Sequence, residues 1–468
     1  IHGGLRYLEH YKFRLVQESL KEREILLNMA PHIIWPMRFI LPHTKGMRPR
    51  WFLRLGLAIY DHLGHRKILP GTSNVNFASQ KTNSPLKDTF KSGFEYSDCW
   101  VDDSRLVILN AVDAASKGAS LRNYTKVTNA TSSNGLWTIS TKNSLNGKVE
   151  IVKAKAFVNA SGPWVDKVLK ESFKVKDSKN VRLVRGSHIV VNKLYEGDKS
   201  YICQNKDGRI FFIIPYEDNF TLIGTTDIDH GKSADQVKIS EQEKSYICES
   251  ASSYLKQEIT TNDIVWSYSG VRPLYDDGAS KAQEATRDYV VSAKEYDYSL
   301  MINIFGGKIT TYRRLSETIL EHIENFLGKR GKPWTENSRL PGGEIKVATL
   351  SEFEAKLKNK YSFFTNELIR RLARSYGEIS FDIFGDADSL DALGENFGGG
   401  LYEAEVQYLI NNEWARSSDD ILFRRSKLGL ILSETEIENL NLFLKKNNTK
   451  SQSSENIVPS ENKEVLKA

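Results

Sequence analysis

The stretch Asn303-Ile-Phe-Gly-Gly-Lys-Ile-Thr-Thr-Tyr312 sets how the rest of the chain is read. A β-leaning run, Leu300–Phe305, meets Gly306 and Gly307, then Lys308, then a helix-forming segment that continues to about Leu327. Glycines let another group approach the backbone closely. A helix N-terminus offers free N–H groups and the positive end of the helix dipole. Lys308 adds a full charge at the same place. The combination suits an anion, either a phosphate or a reduced flavin ring. The same residues also suit a plain strand-to-helix turn, and the pattern alone does not separate the two.

A second junction of this kind is Asn159-Ala-Ser-Gly-Pro-Trp164, between a short strand (156–159) and a helix (165–173). Gly162 and Pro163 make a tight turn after Ala160, and Trp164 is a candidate cover for a planar ligand; the alternative is a structural turn. Two strand–glycine–helix junctions indicate an α/β architecture. Upstream, the runs 125–131, 135–142, 147–153 and 156–159 alternate like a β-meander. Runs 181–191, 209–216 and 220–225 carry the β-branched and aromatic residues of a sheet. Ser240 with Glu243 forms a capping box that opens a helix to about Gln257. Strands resume at 264–271, 288–292 and 300–305. Residues 5–29 and 105–117 have helical spacing. Residues 70–98 read as polar and turn-rich. From 347 to 446 nearly every residue favours helix, with a second capping box at Ser351 and Glu354. Residues 447–468 have almost no apolar content and read as a disordered tail.

Three further groups are candidates for chemistry. Arg272, in Val271-Arg-Pro-Leu274, closes a strand where it could grip a carboxylate or phosphate bidentately; the alternative is a surface ion pair. His188 heads a strand in Gly186-Ser-His-Ile-Val-Val191 and has a side chain suited to proton transfer near neutrality; the alternative is a satisfied, partly buried imidazole. Arg6 and Tyr7 follow Gly3-Gly4 near a helix start and offer an anion contact, or simply capping and packing.

Of the 468 residues, 40% are hydrophobic and 26% charged, which describes an ordinary globular chain with room for two or three domains. No run approaches the roughly 18 apolar residues of a membrane span. Cys99, Cys203 and Cys248 are few and scattered, which excludes a disulfide framework and fits a reducing compartment. No H-E-x-x-H or C-x-x-C appears, so no metal site is readable. G-x-G-x-x-G, the P-loop pattern and G-x-S-x-G are also missing. The opening Ile1-His-Gly-Gly4 carries no secretory leader and raises the expectation that the natural N-terminus lies upstream. Residues 31–67 hold seven Lys or Arg against Asp61 alone, a local excess equal to the net charge of +6 of the entire chain. Those cations alternate with Trp35, Phe39, Trp51 and Phe52. The pattern favours a membrane surface over an amphipathic face packed inside the protein. Nothing resembles a nucleic-acid motif.

In this order the motifs carry a resemblance. The segments include Ile1-His-Gly-Gly-Leu-Arg-Tyr-Leu-Glu-His10, Tyr60-Asp-His-Leu-Gly64, Gly93-Phe-Glu-Tyr-Ser-Asp-Cys-Trp-Val-Asp-Asp103 and Asn159–Trp164. They continue with Gly186–Val191, Ile223-Gly-Thr-Thr-Asp227, Tyr268-Ser-Gly-Val-Arg-Pro-Leu274 and Phe305-Gly-Gly-Lys308, then Glu413-Trp414, Asp419-Asp420 and Arg424-Arg425. From residue 1 to about 440 the chain resembles the bacterial FAD-dependent, quinone-linked glycerol-3-phosphate dehydrogenases. One departure stands out: the family's opening βαβ unit, whose G-x-G-x-x-G turn holds the FAD pyrophosphate, is absent from this sequence. The expectation that follows is that the chain binds FAD poorly or not at all.

The resemblance implies a glucose/amine-oxidase-like FAD fold with a mixed-sheet substrate domain and an all-helical C-terminal domain. The FAD-binding domain would take 1–180 and 285–330, the substrate domain 181–284 and the helical domain 343–446. It implies FAD as cofactor and oxidation of sn-glycerol 3-phosphate to dihydroxyacetone phosphate, with electrons passing to ubiquinone or menaquinone. It assigns FAD contacts to Ile1, His2, Gly3, Ala160, Gly162, Trp164, Gly306, Gly307, Lys308 and Thr310. Substrate contacts fall to Arg6, Tyr7, Arg272 and Lys308. Catalysis falls to His188, Arg272 and Lys308, with His188 or Arg272 as base. The cell address implied is cytoplasmic, peripheral on the inner face of the membrane, with a homodimer left open. Alternatives are an oxygen-using oxidase, a related flavin amine oxidase, and a non-catalytic remnant that binds membrane or a partner.

Overall fold

The structure, a computed structural model, describes residues 1–44, 47–64, 67–77, 84–205, 207–278, 288–346 and 349–454. The side chains of Arg6, His10 and residues 448–454 lie outside that description, as do two cations of the basic stretch, Lys45 and Arg66.

After a 3-10 turn (Leu5–His10) come α1 (Phe13–Met29), β1 (Ile34–Pro42), α2 (Arg50–Leu63), β2 (Ser73–Asn76), β3 (Ser92–Val101) and α3 (Asp103–Ser116). Next are β4 (Thr125–Ser133), β5 (Leu136–Asn143), β6 (Val149–Ala154), β7 (Ala156–Asn159), α4 (Val165–Ser172) and β8 (Val181–Asn192). Then follow β9 (Ser200–Gln204), β10 (Ile210–Tyr216), β11 (Phe220–Gly224), β12 (Ile228–Asp229), α5 (Glu241–Tyr254) and β13 (Ile264–Tyr275). The chain continues through β14 (Tyr289–Tyr296), β15 (Ser299–Gly306), α6 (Tyr312–Leu327), α7 (Leu350–Lys360) and α8 (Asn366–Tyr376). It ends in α9 (Ser380–Phe384), α10 (Glu403–Asn412), α11 (Ser418–Arg424) and α12 (Glu434–Ser454). These elements form two compact units. One holds Ile1–Met29, Ile34–Val101 and Arg122–Ser338; the other holds Ala30–Ile33, Asp102–Leu121 and Arg339–Ala468.

In the first unit, nine strands among the described residues form one sheet, ordered β12-β8-β11-β10-β9-β1-β3-β2, with β13 also on β8. Side chains alternate between its two faces. Ile189, Val191, Tyr201, Cys203, Phe211, Ile213 and Ile223 take one face and bury against Ile247, Cys248 and Ala251 of α5. Helix α5 starts at the expected capping box of Ser240 and Glu243. The opposite face carries Tyr96, Phe39, Ile202 and Phe212 from β3, β1, β9 and β10, with Tyr96 opposite Phe39 and Ile202 opposite Phe212. Val16 and Leu20 of α1 and Leu57 and Tyr60 of α2 pack near that face. A smaller sheet, β14-β15-β7, sets β7 parallel to β15. Both glycine junctions therefore leave the same end of two adjacent parallel strands, the end where α/β folds place ligands. β4, β5 and β6 form the meander. The second unit is helical, built on a core that includes Leu357, Tyr361, Phe364, Leu372, Tyr376 and Leu409.

Several sequence expectations change. Residues 5–29 are not one helix: Tyr11 takes the left-handed conformation (φ 55°) between the 3-10 turn and α1, which an α-helix interior does not accept. The turn-rich reading of 70–98 misses β2 and β3. The polar residues of β3 have partners that only folding supplies: Arg38 on Glu95 (3.1 Å), the Pro70 carbonyl on Ser97 (2.8 Å) and Arg23 on Asp98 (2.7 Å). The basic stretch is a strand followed by a helix. Pro36 is tolerated inside β1 because β9 pairs only with Phe39 and Ile40, so the missing N–H costs no ladder bond on that side. β9 itself was not foreseen. The capping box at Ser351 does not form: α7 begins at Leu350, with Thr349 as its N-cap. A box forms instead at Ser417 and Asp420. α12 runs to Ser454, into the segment expected to be disordered, because extending a nucleated helix costs far less than starting one; residues 455–468 lie outside the described residues. Residues 30–33 and 102–121, read as part of the first domain, belong to the helical unit. Arg105 of α3 is buried there, bonded to the Ser375 carbonyl (3.0 Å) and to Glu413.

His32 is fully buried in the helical unit, and neither ring nitrogen has a hydrogen-bond partner among the described residues. It packs on the backbones of Gly342 and Gly377 and faces the Arg105 guanidinium. Burial and that cation push its pKa down to about 3 from about 6.5. A group held neutral in this way stabilises the fold above its unfolded pKa. That stability is lost as the pH falls from about 6.5 toward about 3. Melting temperature measured against pH is expected to fall across this window, and to fall less steeply in His32→Phe.

Candidate functional site

The first unit holds an open cavity of about 870 Å³. One wall is the open face of the large sheet. There Phe39 stacks on Tyr96 (5.6 Å between ring centres) and meets Phe212 edge-on (5.8 Å), beside Ile202, Ile210 and Ile214. Four strands supply this apolar wall. Another wall is the N-terminal segment, through Ile1, His2, Gly4, Leu5 and Tyr7. Arg272, Asp227 and Thr225 close one side.

The N-terminal segment runs against β3. The Cys99 N–H donates to the Ile1 carbonyl (3.0 Å), and the Ile1 amine donates back to the Cys99 carbonyl (3.1 Å). Gly4 is left-handed (φ 77°), and a Cβ there would lie 2.4 Å from the Tyr7 ring. Only glycine serves at this turn. The His2 N–H donates to Thr310 Oγ1 (3.4 Å), and that hydroxyl donates to the His2 carbonyl (3.4 Å). These contacts join the segment to the glycine junction at 306–312. Gly306 and Gly307 both have positive φ (76° and 109°), and a Cβ on Gly306 would sit 2.8 Å from the Asp288 carbonyl. Lys308 lies half-buried just behind, its Nζ 4.2 Å from the Tyr7 ring centre and 3.4 Å from Ser19 Oγ.

His2 lines the cavity and is exposed there. Desolvation by the surrounding protein holds its pKa down to about 4, against the pull of Asp98 and with the push of Lys308 and Arg23. Its imidazole is neutral at physiological pH and can accept a proton. Arg272 crosses over Gly186 and donates to Asp227 Oδ1 (2.7 Å) and Thr225 Oγ1 (3.3 Å). A Cβ on Gly186 would lie 2.7 Å from either terminal nitrogen of that guanidinium, so the glycine makes its path.

The other expected residues fall elsewhere. His188 is not among the residues that line the cavity. It lies between Tyr268 and Gly224 in the sheet register, its ring stacked on Tyr268 at 5.0 Å, and its Nδ1 has no partner among the described residues. Burial, then Arg272, pushes its pKa to about 4. Ala160, Gly162 and Trp164 follow β7, where Asn159 donates to Asn303 Oδ1 (3.0 Å). They do not line the cavity, and the Trp164 indole donates to Asp235 (2.9 Å). The Arg6 side chain lies outside the described residues. The structure thus gathers Ile1, His2, Tyr7 and Arg272 in one cavity, with Gly306, Gly307, Lys308 and Thr310 adjoining. Sequence reasoning missed Asp98 and Asp227. The signal for Asp98 was a lone acid in an otherwise apolar and aromatic alternation, Phe94-x-Tyr96-x-Asp98-x-Trp100.

Residues 1–313 match the family model described as FAD dependent oxidoreductase. The chain belongs to that family. Residues 333–441 of this oxidoreductase match a second model, the C-terminal domain of alpha-glycerophosphate oxidase. It is 47% identical over 436 residues to D-erythritol 1-phosphate dehydrogenase of Brucella abortus, covering 93% of this chain and 87% of that one. It is 46% identical over 434 residues to aerobic glycerol-3-phosphate dehydrogenase of Escherichia coli, covering 92% and 86%. Its fold matches glycerol-3-phosphate dehydrogenase from Bacillus halodurans complexed with FAD, with a TM-score of 0.69 at 23% identity, covering 95% of this chain and 87% of that one.

The residues present fit the ring end of FAD, the cofactor of the family. The positive-φ glycines at 306 and 307 leave this backbone turn without side chains beside the cavity's N-terminal wall. Lys308, were FAD bound with its ring beside this junction, would supply positive charge toward a reduced ring. The cavity sets an apolar, aromatic sheet wall beside the N-terminal segment that carries His2 and Gly4.

Proposed function

We propose that this oxidoreductase converts sn-glycerol 3-phosphate to dihydroxyacetone phosphate and passes the electrons to a membrane quinone. The observation that carries the reading is a neutral imidazole, His2, and a guanidinium, Arg272, opening into one cavity. Oxidising a secondary alcohol removes a hydride from carbon and a proton from oxygen. Bound FAD supplies the two-electron acceptor. His2 takes the hydroxyl proton, in place of His188. Arg272 holds the phosphate or the developing alkoxide, and Asp227 and Thr225 fix its orientation. The names of the Escherichia coli and Brucella relatives support a phosphorylated polyol as substrate.

The test is an absorbance spectrum of the FAD-loaded chain before and after substrate. The flavin band at about 450 nm should bleach with glycerol 3-phosphate. D-erythritol 1-phosphate, run in parallel, sets the carbon length. A band untouched by either phosphate, or bleached by a small amino acid instead, refutes the reading.

Helix α2 supports the membrane half. It buries Leu57 and Tyr60 but leaves Trp51 (69%), Leu55 (52%), Phe52 and Ile59 exposed beside Arg48, Arg50 and Arg54. Among the described residues, no helix is long and apolar enough to cross a membrane. We place α2 on a lipid surface, aromatic rings at headgroup depth and cations toward anionic lipid. Binding to phosphatidylglycerol vesicles should exceed binding to neutral ones and fall with salt. Trp51→Ser and Leu55→Ser should each weaken it about fivefold, the equivalent of ~1 kcal/mol of partial apolar burial. Equal binding to both vesicle types would remove α2 as the contact.

A further inference from the structure

Asp98 faces the cavity side of β3, yet only 2% of its surface is exposed. Three groups cover it. Arg23 of α1 donates to its Oδ1 (2.7 Å) and to the Ser97 carbonyl (2.7 Å). Tyr60 of α2 donates to Oδ1 (2.8 Å) and lies 3.0 Å from Oδ2. The third is a backbone group: the Gly3 N–H reaches Asp98 Oδ1 (3.1 Å) and the Tyr60 hydroxyl (2.9 Å).

We propose that Asp98, held by Arg23 and Tyr60, is a positioning residue that clamps the Gly3 amide and so aims His2 into the cavity. A buried carboxylate needs several donors, and here the protein spends one of them on the segment that forms the cavity wall. A Cβ on Gly3 would lie 2.3 Å from Leu20 Cδ2 and 2.5 Å from the Tyr60 hydroxyl, so the backbone is pressed onto the clamp. Gly4 then turns left-handed and starts the 3-10 turn that carries Tyr7. Two helices and a strand, joined by one ion pair, thereby fix the neighbour of His2. The groups facing His2 are Asp98 from β3, Arg23 from α1, Lys308 from the glycine junction and the Ile1 amine. Asp98 is the acid among them and opposes the three cations at His2.

The kinetic part of this inference rests on His2 as proton acceptor; the structural part does not. The test uses the full FAD-loaded chain and three variants. Tyr60→Phe removes one acceptor of the Gly3 N–H and leaves the ion pair intact. Adding Arg23→Leu and Asp98→Leu to Tyr60→Phe removes the remaining acceptor without stranding a buried charge. Hydrogen exchange at the Gly3 amide should be about tenfold faster in the first variant and faster again in the second. Arg23→Gln with Asp98→Asn, which restores a carbonyl acceptor, should recover slow exchange. In a substrate-active parent, kcat should fall about tenfold to hundredfold with little change in KM, as for a misplaced reacting group. Unchanged exchange at Gly3 overturns the clamp. Faster exchange with unchanged kcat in an active parent overturns the positioning role. An inactive parent whose Gly3 exchange responds as stated upholds the clamp and sinks the proposed function instead.

Discussion

His2→Asn is expected to slow reduction of bound FAD by glycerol 3-phosphate by about 10²–10⁴-fold, the usual contribution of a positioned general base. His188→Asn should leave that rate nearly unchanged. The two imidazoles have similar lowered pKa values, about 4, so proton affinity does not separate them. Position does. His2 opens into the cavity with Arg272, whereas His188 stacks on Tyr268 away from its lining. The pH profile checks the same assignment. A base must be unprotonated to act, so the rate should be flat near neutrality and decline as the pH falls through about 4. Stopped-flow absorbance of the two variants decides it. A large loss in His188→Asn and none in His2→Asn would return the role to His188.

Glu413→Ala is expected to unfold or nearly unfold the helical unit. Glu413 and Arg105 are both fully buried and paired, and Arg425 donates to the Glu413 carbonyl. Arg105 also lies 4.8 Å from the Tyr376 ring centre and donates to the Ser375 carbonyl. Removing the carboxylate strands the Arg105 charge with no water to receive it. Breaking one side of a buried pair costs about 3–5 kcal/mol, a large share of the ~5–15 kcal/mol that holds a domain together. Glu413→Gln keeps a hydrogen-bond acceptor and should cost less. Calorimetry should show the helical unit melting earlier in both, while Leu442→Ser, at a position 47% exposed, stays near wild type. An unshifted transition in Glu413→Ala would mean that Arg105 finds another partner.

Much of the local structure was legible. The meander, the strand runs from 181 to 225, the capping box at Ser240 and Glu243, and the helical character past 347 follow from side-chain period and capping chemistry. Both act over a few residues. The 303–312 stretch announced a glycine junction, and the structure places it beside His2. What failed had a common cause. β3 looked like a loop because Glu95, Ser97 and Asp98 are polar, and their partners Arg38, Pro70 and Arg23 lie 27 to 75 positions away in the chain. α3 looked like part of the first domain because nothing near Arg105 indicates Glu413, some 300 residues on.

By itself, then, the sequence determined where strands and helices form, where glycine lets the backbone turn, and that residues 31–67 concentrate positive charge. Those are properties of neighbours in the chain. Only the tertiary structure decided which face of the large sheet became a cavity wall, and which histidine opens into it. A period of two divides a strand into two faces without saying which one meets α5. That depends on Tyr96, Phe39, Ile202 and Phe212 arriving together from four separate strands, and on the Gly3 amide finding the carboxylate of Asp98.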